Sequence, residues 1–138
     1  MHTTMNDPVD WFALGAWFQG ADGAMAELAT AAALAQTLVG GTPEANVATA
    51  RDLDGCTRRV AAWLDAQPCP EVWVGDFVGA VIEVLGELAD CTLRTDGCGP
   101  TTDERFPARV VRACLMTTEL RSIAGRLHVY AGFDSPGP

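Results

Sequence analysis

Residues 11 to 39 repeat apolar side chains at a spacing of seven. The two apolar positions of the repeat are held by Trp11, Phe18, Met25, Ala32 and Val39 and by Leu14, Ala21, Leu28 and Ala35. This pattern is typical of a helix that packs lengthwise against other helices. Gly20 and Gly23 lie inside the segment, but the repeat stays in phase across them. The sequence therefore predicts one continuous helix over residues 8–39.

Capping residues, prolines and glycines divide the remaining sequence into three further helices. They are expected at about 43–67, 70–95 and 104–131, each opening near a proline, and the first and last of them also have a helix-capping threonine close by. No segment has the alternation of a strand. Residues 1–138 are thus predicted to form a single all-α domain, an antiparallel up-down-up-down four-helix bundle with a flexible tail at 133–138.

The composition excludes several classes of function. The chain has 138 residues, 49% of them hydrophobic, and a net charge of −9, and all nine basic residues are arginine. Such an acidic chain repels phosphates, so nucleic-acid binding is not expected. No apolar run is long enough for a membrane span and no signal peptide is visible, so we expect a cytoplasmic protein. No cofactor motif is present, and no cofactor is predicted.

The first predicted helix is apolar over a wider arc than one core requires. Trp11 and Phe18 lie on the core face, and Phe12 and Trp17 extend the apolar sector to either side of it. A bundle helix needs an apolar stripe of about 100°. The excess predicts a homodimer interface, although a fully buried core or an aromatic ligand pocket that includes Trp73 is also open.

Three glycines, Gly75, Gly79 and Gly86, form a stripe on one flank of the third predicted helix. Each glycine inside a helix costs roughly 1 kcal/mol relative to alanine. We expect that cost to be offset by close approach of another helix, of a second subunit or of a ligand.

The start of the last predicted helix concentrates positive charge in an otherwise acidic chain. Arg105, Arg109 and Arg112 fall on one side of that helix. Guanidinium groups beside a helix start could bind an anionic ligand or an acidic partner. Pairing with nearby carboxylates is the alternative.

Carboxylates line the face of the third predicted helix opposite its apolar side, and they include Glu83, Glu87 and Asp90. The string Glu87-Leu88-Ala89-Asp90, preceded by Glu83, resembles the acidic motif of the all-α nucleotide pyrophosphohydrolases of the MazG type. That resemblance implies Mg²⁺ held by these three residues. The second glutamate-rich helix of that family has no counterpart here, because the first two predicted helices carry only Glu27 and Glu44. A solvated face is the alternative, and our primary prediction includes no metal site.

These observations favour a non-enzymatic helical interaction or regulatory protein. We expect it to act through protein–protein contacts, as a homodimer, and its acidity suits a partner with a basic surface. One alternative is a small-molecule-binding bundle, or an accessory enzyme, with an aromatic pocket between its helices. The MazG-like hydrolase is the second alternative.

Overall fold

The structure is a computed structural model that describes the backbone of residues 9–134 and the side chains of residues 9–127. All the regular secondary structure in this part of the chain is helical. Its six helices are α1 (Trp11–Gln19), α2 (Asp22–Leu38), α3 (Pro43–Ala66), α4 (Val72–Arg94), α5 (Gly99–Thr102) and α6 (Phe106–Asp134). The all-α prediction is confirmed for the described residues.

The structure divides the predicted helix over residues 8–39 into two helices, α1 and α2. The prediction of one continuous helix was therefore wrong. Residue 8, the expected start, lies outside the described residues, and α1 begins only at Trp11. Asp10 is its N-cap, and its Oδ1 accepts a 3.0 Å hydrogen bond from the Ala13 amide. The chain turns at Gly20 and Ala21 because glycine is a weak helix former. The amide of Ala21 donates a 3.0 Å hydrogen bond to the Phe18 carbonyl.

The seven-residue repeat nevertheless predicted the buried side of this segment. Leu14, Phe18 and Ala21 before and at the turn are buried, and so are Leu28 and Ala35 beyond it. The helix axis is interrupted while the apolar seam continues, because the two-residue turn preserves the rotational register. The two outermost positions of the repeat, Trp11 and Val39, are exposed, because they lie at the ends of the segment. Periodicity therefore reported burial correctly for the interior of the segment, and it was wrong about its ends and about helix continuity.

The other boundaries moved by a few residues. The predicted helix at 43–67 is α3, with Thr42 as its N-cap, whereas α4 starts two residues later than the expected 70–95. The predicted helix at 104–131 begins at Phe106 and continues through Gly132 to Asp134, so that glycine does not end it. The short helix α5 lies just before α6. Of the predicted tail, residues 133 and 134 belong to α6, and residues 135–138 lie outside the description.

The long helices share one core. α2 packs on α3 and α6, α3 on α4, α4 on α6, and α1 on the second half of α6. The largest buried side chains include Phe18 from α1, Leu53 from α3, Leu85 from α4 and Phe106 from α6. Burial of such side chains contributes about 1.5 to 3 kcal/mol each. The core therefore joins every long helix.

Candidate functional site

Contacts of α3 with α1, and of α3 with α4, define one end of the molecule. The indole Nε1–H of Trp17 donates a 2.8 Å hydrogen bond to the carbonyl of Gln67, just after α3. The Trp17 ring also lies 5.0 Å from the ring of Trp63. Glu27 of α2 pairs with Arg59 of α3, eight residues before Gln67. Because α1 precedes α2 in the chain, the start of α1 therefore lies towards the α3–α4 connection. We call residues 9–14 and 64–77 the aromatic end.

Two of the predicted interface residues serve the fold instead. Phe18 is buried in the core and presents no surface to a partner. Trp17 is half-buried between Phe18 and Trp63, and its only polar group is bonded to Gln67. Thus part of the excess apolar arc of the first predicted helix is absorbed by contacts with α3.

The remaining predicted aromatic residues are exposed. Phe12 is 45% exposed and Trp73 is 48% exposed. Trp11 is 40% exposed, so its predicted place on the core face was wrong. Val72, which the sequence analysis did not single out, is 75% exposed beside Trp73. The first turns of α1 and α4 therefore bring four large apolar side chains to the aromatic end. Exposed apolar groups that gather in one region are typical of interaction surfaces.

Carboxylates are the charged groups of the α1, α3 and α4 segments at this end. Residues 9–14 and 64–77 contain four carboxylates, Asp10, Asp65, Glu71 and Asp76, and no arginine. Among the described side chains, Asp65, Glu71 and Asp76 have no ion-pair partner. Asp10 uses one oxygen as the N-cap of α1. The second half of α6, which packs on α1, also carries Arg121 and Arg126, so positive charge adjoins this end as well.

The glycine stripe on α4 gives a mixed result. A Cβ at Gly75 would lie 3.3 Å from the Cβ of Cys69, which is a close approach. A Cβ at Gly86 would make ordinary contact with Thr57 at 3.8 Å, and a Cβ at Gly79 would meet nothing within 4 Å. Only Gly75 has the close neighbour that the stripe predicted, and that neighbour belongs to the same chain.

The predicted anion site is partly occupied by carboxylates. Arg109 lies 3.7 Å from Asp103 and 3.9 Å from Glu87. Arg105 and Arg112 are exposed on either side of it. The structure thus brings Arg109 to internal partners, as the pairing alternative expects.

The acidic face of α4 is spread along the helix. Glu83, Glu87 and Asp90 are all exposed, and Asp90 pairs with Arg94 at 2.8 Å. Glu87 faces Arg109, as described above. Within residues 9–127, no group of three or more histidine, cysteine or acidic side chains is placed to hold a metal ion. The geometry therefore gives the hydrolase alternative no support.

A groove between α2 and α3 was missed by the sequence analysis. Arg59 binds Glu27 across it through two bonds, Nε to Oε1 at 2.7 Å and Nη2 to Oε2 at 3.3 Å. The Arg59 guanidinium lowers the pKa of Glu27, and burial raises the pKa of the neighbouring Cys56 thiol. A thiol with a raised pKa is a poor nucleophile at neutral pH. The charged bridge is shared by two shallow cavities of about 280 and 310 Å³, so it divides the groove.

A second exposed apolar site lies on α6. Val111 is 57% exposed and Leu115 is 65% exposed, one turn apart on the same face. This face has both signs of charge, because Arg112 and Glu119 flank it. The sequence analysis placed only Arg112 here, since the surrounding residues lack a clear helical stripe.

No described helix has the length and apolar character needed to cross a membrane. Comparison of the chain with protein-family models, with curated proteins and with solved structures found no match.

Proposed function

We propose that this chain is a non-enzymatic helical interaction protein that acts through protein–protein contacts at its aromatic end and self-associates as a homodimer. The exposure of Phe12, Val72 and Trp73 at one end of the molecule carries this proposal. Aromatic side chains are enriched in the buried centres of protein interfaces. Exposing them in an otherwise complete fold costs solubility, and a partner removes that cost.

The scaffold that we propose for this role is the antiparallel four-helix bundle, with α1 and α2 together as its first member. Three contacts between different helices support it. Glu27 of α2 bonds Arg59 of α3, Cys114 of α6 lies 3.3 Å from Gln36 of α2, and Asn46 of α3 bonds Gly97 after α4. In such a bundle the aromatic end is one of the two ends where the chain reverses.

The residues that carry the contact differ from those expected from sequence alone. Trp17 and Phe18 support the end from inside, so substituting them would test folding and association together. Phe12 and Trp73 are half-exposed, and their replacement tests association with less effect on the core. Since four carboxylates surround the surface, we expect salt to strengthen self-association by screening their repulsion.

Sedimentation velocity over a range of protein concentrations tests this proposal. The native chain should form a dimer, and Phe12→Glu should be a folded monomer by circular dichroism. Trp73→Glu is the second variant at the same surface. Val111→Glu is the matched control, because it places the same charge on the exposed apolar face of α6. A native chain that stays monomeric, or a dimer lost only in Val111→Glu, would contradict the proposed contact.

A further inference from the structure

We draw no further inference here: the strongest candidate, the exposed apolar face of α6 at Val111 and Leu115, carries nothing because nothing in the described part of the structure shows what covers it.

Discussion

The two ends of this molecule are built on opposite principles. At one end, residues 39–46 and 92–109, which we call the hydrogen-bonded end, Asn46 is buried and its Nδ2 donates to the Gly97 carbonyl at 3.1 Å. Thr42 caps α3 there, and its hydroxyl accepts from the Ala45 amide. At the aromatic end α4 starts after Glu71 without a side-chain cap, and Val72 is largely exposed.

Charge follows the same division. The hydrogen-bonded end has three arginines and four carboxylates, and Arg109 bridges Asp103 and Glu87. The aromatic end has four carboxylates and no arginine. The hydrogen-bonded end bonds Asn46, Thr42 and Arg109 within the chain, whereas the aromatic end leaves large apolar groups exposed. Substitutions at the first should therefore change stability, and substitutions at the second should change association.

The largest expected effect is at Gly97. Its φ of +86° is unfavourable for any residue with a Cβ, and an added Cβ would collide with the carbonyl of Pro43. Gly97→Ala should lower the free energy of unfolding by about 3 kcal/mol, measured by urea denaturation.

Gly79→Ala is the matched control for that substitution. A Cβ there meets nothing within 4 Å, so alanine should stabilise α4 by about 0.5 to 1 kcal/mol. A loss at Gly79 would show that something approaches this helix flank closely, as the sequence stripe first suggested.

Removal of the Asn46 side chain should have the next largest effect. Its amide donates to both Gly97 and Gly41, at 3.1 and 3.4 Å. Asn46→Ala leaves those carbonyls without this donor, and should cost about 2 kcal/mol in the same denaturation experiment. Self-association should be unchanged, and a lost dimer would contradict the separation between the two ends.

Trp17→Phe tests how firmly α1 is held at the aromatic end. The substitution keeps an aromatic ring against Trp63 but removes the 2.8 Å bond to the Gln67 carbonyl. We expect a loss of about 1 kcal/mol in the free energy of unfolding. A loss above about 3 kcal/mol would mean that this end is as tightly specified as the other.

The smallest expected effect is on the stability of the fold at acidic pH. Arg59 holds the pKa of Glu27 below its usual 4.5, so the charged bridge stabilises the fold at neutral pH. This contribution is fully present above pH 4.5 and is lost as pH falls through the lower pKa of the folded state. Glu27→Gln should lack this component of the acid dependence in thermal melts below pH 4.5. The groove lies outside both ends of the molecule, so dimerisation should not change as Glu27 is protonated.

The sequence predicted these regions to different degrees. The seven-residue repeat indicated which side of residues 11–38 is buried, because periodicity reports the face that is shielded from water. It could not indicate the turn at Gly20, since the apolar register is the same on both sides of it. The sequence placed Phe12 and Trp17 in an apolar excess but could not separate internal from external partners. The bond from Trp17 to Gln67 joins residues 50 positions apart, and no local pattern encodes it.

The most direct test of the central claim uses the indole N–H signals of the four tryptophans in a ¹⁵N–¹H correlation spectrum. The claim is that the aromatic end associates through Trp73 and Phe12 while Trp17 and Trp63 belong to the fold. As protein concentration rises, the Trp73 signal should shift the most. The Trp17 signal should stay nearly constant, because its indole N–H is hydrogen-bonded to the Gln67 carbonyl. Shifts confined to Trp17 and Trp63, or a Trp73 signal that never moves, would contradict the account.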